Sequence, residues 1–268
     1  LDLFKRHDAT IKYSVVEAIH SFDDLNKKLK DLPFTRLNLI EAYEAIFLEE
    51  EETELKVFIL ESLGDFDSEK VILFLRNAIT DKNPEVSNKA IAALRYFHDR
   101  GIITYLKPYL ESEQPISQAA AVISLWQFVE LRPLLMKYCV QIMAGSTKEH
   151  ILASLNIIGS LDFAWEKAYV KKHIMTPQEE VRQAATLTLM QLGDEEAIPL
   201  VYEALISKKP ESLFFARSLK KMPLRIKKLI LKQVRQAGEN AVNTCVEILK
   251  DSYLNFTEEM SELLFSRA

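Results

Sequence analysis

The fold is decided by the stretch PQEEVRQAATLTLMQLGDEEAIPLVYEAL, residues 177–205. It opens with a proline and acidic residues, reaches the apolar Val181, and continues with small or apolar side chains to Leu189. Apolar residues at this spacing line one face of an α-helix. The turn Leu192-Gly193-Asp194 is followed by a second apolar pattern, which predicts another helix with Pro199 in its first turn. The stretch therefore predicts a pair of antiparallel helices.

The same pattern recurs along the chain at a nearly constant interval. Each copy has an apolar anchor residue near a predicted helix start, followed by small or apolar residues three, four and seven or eight places later. The six anchors, which are separated by 31, 30, 35, 30 and 32 residues, are Leu55, Val86, Ile116, Ile151, Val181 and Leu213. One helix pair cannot bury such a stripe, whereas stacked pairs share a continuous core. We therefore expect an all-α fold, an α-solenoid of stacked antiparallel helix pairs.

The composition agrees with a helical chain. Only 6 of the 268 residues are glycine, whereas hairpin-rich β folds and phosphate-binding loops need glycine where the backbone turns tightly or approaches a ligand. The net charge is -5, which disfavours a protein that mainly holds the phosphate backbone of nucleic acid. Cys139 and Cys245 lie far apart in the sequence, so we expect two buried free thiols in a reducing compartment.

Residues 177–205 resemble the short HEAT-like repeat family, including the variety found in phycobilin lyases. The resemblance is carried by Val181-Arg182, Ala184-Ala185, Leu192-Gly193-Asp194 and Ala197-Ile198-Pro199. Its fidelity decreases along the other copies, and the arginine that follows the family's anchor valine is present only at Arg182. The resemblance implies a solenoid with a concave inner surface.

The chain is predicted to divide into three parts. Residues 1–48 form an N-terminal helical cap, residues 49–219 form the HEAT-like repeats, and residues 220–268 form a basic C-terminal helical repeat or cap. The chain begins at Leu1 without a methionine, so we expect a segment of a longer protein. The basic triplet Lys5-Arg6-His7 is also compatible with the cytoplasmic flank of a membrane helix that precedes Leu1. The predicted location is cytoplasmic, with such a tether as the alternative.

Charge is distributed unevenly and predicts a docking patch. Residues 41–70 contain eleven acidic and two basic side chains, including the run from Glu49 to Glu52. Residues 217–235 contain no acidic residue and eight basic ones, which are Arg217, Lys220, Lys221, Arg225, Lys227, Lys228, Lys232 and Arg235. Apolar residues alternate with these charges, which indicates an amphipathic helix. The basic patch would dock an acidic protein or an anionic membrane surface, unless it is only a solvated outer face.

A second candidate surface is a shallow groove. Positions five and nine residues after an anchor should point away from the buried stripe. The candidate groove residues at these positions are Ile91, Arg95, Leu125, Thr186 and Met190. Three of them are more apolar than a solvated surface requires, so they could line the floor of a groove for a peptide or helix. The alternative is that flanking repeats cover them.

No catalytic motif is visible in the sequence. The five histidines are not spaced as metal ligands, and the glycine-containing motifs of hydrolases and nucleotide-binding loops are missing. We therefore predict no catalytic residue, no metal site and no cofactor, and a chain that is not an enzyme.

The leading functional hypothesis is a non-catalytic scaffold that binds a partner protein or peptide through its concave and basic surfaces. One alternative is a nucleic-acid-binding domain, because the repeats are also similar to HEAT-like alkylpurine DNA glycosylases, which place aromatic and acidic residues around a basic concave cleft. The tryptophans here are Trp126 and Trp165. Another alternative is a bilin-lyase-like enzyme, which rests on repeat type alone. The oligomeric state is left open by the sequence.

Overall fold

The computed structural model describes residues 36–63, 68–207, 211–219 and 222–251. These residues are almost entirely helical, and no β-strand occurs among them. Their α-helices, α1 to α14, are Arg36–Glu49, Thr53–Leu63, Glu69–Ala78, Pro84–Ala93, Gly101–Leu110, Pro115–Leu125, Arg132–Ala144, Lys148–Ser160, Lys167–Lys171, Glu179–Gln191, Ile198–Ser207, Ser212–Leu219, Leu224–Gln236 and Glu239–Asp251. Four short 3₁₀ helices lie between them, at Leu94–Tyr96, Val129–Leu131, Ala164–Glu166 and Glu195–Ala197. The predicted all-α solenoid of helix pairs is confirmed.

The anchor residues identify one helix of each pair. Each anchor lies within the first four residues of an even-numbered helix, from Leu55 in α2 to Leu213 in α12. We call α2, α4, α6, α8, α10 and α12 the anchor helices. Leu55, Val86 and Val181 are fully or almost fully buried, whereas Leu213 in the weakest copy is 39% exposed. The spacing of the sequence pattern thus corresponds to the spacing of the helix pairs.

Helix starts use the polar caps that the sequence offers. The side chains of Ser68, Asn83 and Thr147 each accept a hydrogen bond from a backbone N–H in the first turn of α3, α4 and α8, respectively. Pro84 and Pro115 occupy the first positions of α4 and α6, where a missing N–H costs little.

Two anchor helices end in the same backbone motif. After α10, Gly193 adopts a left-handed φ of 68°, its N–H donates to Met190 O, and the Asp194 N–H donates to Leu189 O at 2.9 Å. After α8, Asp162 adopts a φ of 55°, and the Phe163 N–H donates to Ile158 O at 2.9 Å. This left-handed closure satisfies the last carbonyls of a helix, so the Leu-Gly-Asp turn is a helix stop.

The chain divides into two compact units, the first ending at Ala144 and the second beginning at Gly145. In the first unit, α2, α4 and α6 contact one another in sequence, while α3 packs on α4 and both α5 and α7 pack on α6. In the second unit, α8 contacts α10, α9 packs on α10, and α11 contacts α12, α13 and α14. Each unit thus has a layer of adjacent anchor helices with the second helices packed beside it.

Buried hydroxyls join consecutive anchor helices within each unit. In the first unit, Ser124 Oγ in α6 donates to Ile91 O in α4 at 2.6 Å. In the second unit, Thr188 Oγ1 in α10 lies 3.1 Å from Leu155 O in α8 and 2.8 Å from Ala184 O in its own helix, so its one hydrogen is shared between the two carbonyl oxygens. Both bonds span 33 residues, so the two units repeat the same contact.

Carboxylates in the turns link adjacent helix pairs. Asp194 accepts a hydrogen bond from the Glu196 N–H at 3.1 Å, and its side chain, 11% exposed, lies 3.4 Å from Lys171 Nζ and 3.7 Å from Lys167 Nζ. Partial burial raises the pKa of Asp194, but the N–H of Glu196 and the two lysines outweigh this effect and hold the pKa below its usual value. The charged carboxylate is therefore the form that stabilises the fold.

Some predictions fall outside the described residues. These are the triplet Lys5-Arg6-His7, residues 1–35 of the predicted N-terminal cap, and residues 220–221 and 252–268 of the predicted C-terminal cap. The predicted boundaries at 48/49 and 219/220 stay predictions. Cys139 and Cys245 are buried free thiols, as expected.

Candidate functional site

The apolar residues predicted to form the floor of a groove are buried. Ile91, Leu125 and Met190 have no exposed surface, and Thr186 is 1% exposed. They lie in the anchor helices α4, α6 and α10. The prediction of an accessible apolar floor at Ile91, Leu125 and Met190 is therefore corrected: these side chains belong to the core.

The reason is that an anchor helix inside a unit is covered on more than one side. Helix α6 contacts α4, α5 and α7, and its residues Ser117 to Leu125 are all buried. A helix that is enclosed in this way buries the face opposite its apolar stripe as well. Reasoning from one helix at a time misses this second contact.

The polar members of the predicted groove make local contacts. Arg95 is half-buried, its guanidinium lies 4.7 Å from the centre of the Tyr96 ring, and Arg95 Nη2 donates to Tyr96 Oη at 2.6 Å. Thr186 Oγ1 donates to Arg182 O, one turn earlier in α10, at 2.8 Å. Neither contact brings these residues together with the other candidates.

A small cavity in the second unit includes Thr186. It has a volume of about 260 Å³ and is formed by α10, α11 and the start of α12; its lining residues are Arg182, Gln183, Thr186, Leu200, Glu203, Glu211 and Phe215. This volume is below the range of about 300–1,000 Å³ that is typical of small-molecule sites. Arg182 Nη1 donates to the backbone oxygen of Thr176 at 3.3 Å. The sequence analysis selected only Thr186 of this set, because the cavity is assembled from three helices.

Helix α13 (Leu224–Gln236) separates apolar and basic side chains onto opposite sides. Its buried residues are Ile226, Ile230, Leu231 and Val234, and they face α11 and α14, the helices that α13 contacts. Arg225, Lys228 and Lys232 are exposed. These three recur at helical spacing, so they share one side of the helix. We call Leu224, Arg225, Lys228 and Lys232 the basic face.

The structure divides the eight predicted patch residues into three groups. Arg225, Lys228 and Lys232 form the exposed group, while Lys227 and Arg235 are half-buried. The side chains of Arg217, Lys220 and Lys221 lie outside the description. Arg225 pairs with Glu195 from the neighbouring 3₁₀ helix. Within the described part of the chain, Lys228 and Lys232 have no carboxylate partner.

A contrasting surface lies between α1 and α2 in the first unit. Glu50 is only 5% exposed, and its Oε1 accepts hydrogen bonds from the backbone N–H groups of Glu51 at 2.9 Å and Glu52 at 2.8 Å. Glu49 and Glu51 are exposed, Glu52 is half-buried, and Leu48 is 74% exposed. We call Leu48, Glu49, Glu51 and Glu52 the acidic corner. The sequence identified the acidic run but did not distinguish Glu50 as the residue that ties the turn.

The two tryptophans occupy different environments. Trp165 is 67% exposed and stacks on the buried Phe163 ring at 4.6 Å. Trp126 is half-buried, with the Arg132 guanidinium 5.7 Å from its ring. Neither tryptophan belongs to α13 or to the two helices that α13 packs on, α11 and α14, so the aromatic-lined basic cleft of the nucleic-acid alternative gains no support from them.

In the ranges that the structure describes, no group of three or more histidine, cysteine, aspartate or glutamate side chains is arranged to hold a metal ion. None of the helices in those ranges combines the length and apolar character needed to cross a bilayer.

Comparison with known proteins identifies the repeats. A family model of HEAT repeats matches residues 40–126, and a model of the PBS lyase HEAT-like repeat matches residues 181–207. No curated protein sequence matches the chain.

Solved structures show a distant likeness. The complex of CpcE and CpcF of phycocyanin lyase from Nostoc is 16% identical, over 84% of this chain and 96% of that chain, with a TM-score of 0.41. Human deoxyhypusine hydroxylase in complex with glycerol is 15% identical, over 91% of this chain and 98% of that chain, with a TM-score of 0.43. The anchored helix pairs and the two family matches together show that residues 40–126 and 181–207 form HEAT-like repeats.

Proposed function

We propose that this chain is a non-catalytic scaffold that binds an acidic segment of a partner protein through the basic face of α13. The observation that carries the proposal is the one-sided exposure of charge on this helix. Its apolar side is buried against α11 and α14, and Arg225, Lys228 and Lys232 are left at the surface.

The charges of the basic face contribute little to the stability of the fold. Lys228 and Lys232 have no ion-pair partner among the described residues, and the Arg225–Glu195 pair is largely exposed. Exposed pairs of this kind contribute only about 0–1 kcal/mol, so an incoming carboxylate can replace Glu195 at little cost. Positive charge concentrated on one side of a helix accelerates association with an acidic partner.

The first experiment measures binding of a fluorescein-labelled peptide of glutamate and serine by fluorescence anisotropy. We expect binding that weakens steeply between about 50 and 200 mM NaCl, because exposed charges are screened by salt. The variant K228E/K232E should bind at least about tenfold more weakly, a change of about 1.4 kcal/mol. A matched peptide of glutamine and serine should not bind.

The control variant is K107E/K137E, which changes the net charge equally at two exposed lysines of the first unit. It should bind the acidic peptide within about twofold of the unchanged chain, since the effect of net charge alone is screened. Equal losses in the two variants would contradict a specific basic face. Tighter binding to a DNA duplex than to the acidic peptide, with a steep salt dependence, would favour the nucleic-acid alternative instead.

The lyase alternative is raised by the match of residues 181–207 to the PBS lyase HEAT-like repeat. A repeat type specifies a fold, whereas chemistry depends on a site, and the cavity beside Arg182 is small and is lined by the exposed Glu203 and the half-buried Gln183 and Glu211. Bilin absorbance that stays with the protein after co-expression with the chromophore would overturn the non-catalytic part of the proposal.

A further inference from the structure

We infer that the acidic partner of the basic face is the acidic corner of a second copy of this chain, so that copies associate head to tail. The inference rests on the proposed function, because it uses the same side of α13. It adds the identity of the partner surface, which is Leu48, Glu49, Glu51 and Glu52.

The acidic corner exposes the carboxylates of Glu49 and Glu51 to solvent. The backbone between α1 and α2 is fixed by Glu50, whose buried carboxylate accepts from the two N–H groups that follow it. Glu49 and Glu51 on either side are exposed. Among the described residues, neither forms an ion pair. The carboxylates of Glu49 and Glu51 are therefore presented on a turn whose backbone is held by hydrogen bonds.

The basic face and the acidic corner have opposite charges, and each also has an exposed leucine. Leu224 is 45% exposed beside Arg225, just as Leu48 is 74% exposed beside Glu49. A contact that joins the two surfaces buries both leucines and pairs glutamates with lysines. Buried apolar side chains supply most of the affinity of such a contact, and the charges set its orientation and rate.

A second copy is the simplest occupant because each chain carries both halves of the contact. The two surfaces differ, so the contact is heterologous: it leaves an acidic corner free at one end of a pair and a basic face free at the other. Such a contact extends with concentration unless the geometry closes a ring. With few residues on each side, it should be weak and should dissociate in the micromolar to millimolar range.

The experiment is sedimentation velocity on the full chain over a range of concentrations. In about 50 mM NaCl, the weight-average mass should rise with concentration from one chain towards two and beyond. In about 500 mM NaCl it should fall to that of one chain, because screening acts over a few ångströms there. A chain that remains monomeric at every concentration and salt overturns the inference, including the case in which the two surfaces pair within one molecule.

Charge reversal identifies the surfaces. K228E/K232E and E49K/E51K should each weaken self-association at least about tenfold, whereas the control K107E/K137E should not. A mixture of the first two variants should regain association at a one-to-one ratio, because each surface of one variant then meets an oppositely charged surface of the other. Circular dichroism checks that each variant folds. Self-association that survives E49K/E51K overturns the inference.

The peptide-binding and sedimentation results together distinguish the proposed function from the inference of a second copy. If the acidic peptide binds the basic face while the chain stays monomeric, the inference of a second copy fails and the proposed function stands. If neither the peptide nor a second copy binds, both fail.

Discussion

Helices α6 and α13 are of similar length but have opposite surroundings. Helix α6 (Pro115–Leu125) contains no charged residue, and nine consecutive side chains are buried. Helix α13 (Leu224–Gln236) has five basic residues and only four buried ones. The difference follows from the neighbours, because α6 is covered by α4, α5 and α7, whereas the main contacts of α13 among the described helices are with α11 and α14.

The comparison shows where function can be sought in a stack of helix pairs. A helix enclosed by its neighbours is constrained on all sides by packing, so small and apolar residues there report on stability. A helix with one uncovered side has positions at which packing does not determine the residue type. In this chain the unbalanced positive charge of α13 lies on such an uncovered side. We therefore assign partner binding to this side of α13.

The largest expected effect comes from breaking the enclosed helix. Leu125→Ala removes a fully buried side chain of α6 and should lower the free energy of unfolding by about 2–5 kcal/mol, because it leaves a cavity that the surroundings fill only partly. Lys232→Ala on α13 should change it by less than about 0.5 kcal/mol. Urea unfolding followed by circular dichroism measures both. Similar losses in the two variants would contradict the contrast between the helices.

A smaller effect on the free energy of unfolding is expected in the turn after α10. Asp194→Asn keeps the size of the side chain but removes the charge that Lys171 and Lys167 share. At pH 7 it should lower the free energy of unfolding by about 1 kcal/mol. The pKa of Asp194 is below its usual value in the folded chain, so its contribution is present above the unfolded-state pKa and is lost as pH falls through the folded-state pKa.

The difference between Asp194→Asn and the unchanged chain should therefore shrink towards zero as pH falls below about 4. The other carboxylates titrate in both proteins, so their effect on the free energy of unfolding cancels in this difference. A difference that stays constant down to pH 2 would show that Asp194 acts through hydrogen bonding alone and not through its charge.

Much of the fold was predictable because it repeats. The anchors at Val86 and Val181 mark buried positions of helices α4 and α10, and Gly193 adopts the left-handed conformation that ends a helix. These are local features, set by spacing and backbone geometry. The weakest copy was one residue out of register, since Ser212 is buried and Leu213 is exposed.

The surfaces were less predictable because they depend on neighbours distant in sequence. Ile91 and Leu125 point away from the anchor stripe of their own helices, yet both are covered by adjacent helices. Glu50 looks like its neighbours in the run Glu49 to Glu52 but is buried by its hydrogen bonds to the turn. The exposure of Arg225, Lys228 and Lys232 was predictable because it follows from amphipathic spacing within one helix, and their role in docking stays a prediction.

The most direct test of the contrast is thiol labelling at pH 8 of single-cysteine additions. The native thiols are buried, and burial raises the pKa of Cys139 to about 11 and that of Cys245 to about 12, so neither should react quickly with a disulfide reagent. Ser124→Cys in α6 should also remain unreactive in the folded chain, whereas Lys232→Cys in α13 should release one fast equivalent per chain. Equal labelling rates for Ser124→Cys and Lys232→Cys would contradict an enclosed α6 and a one-sided α13.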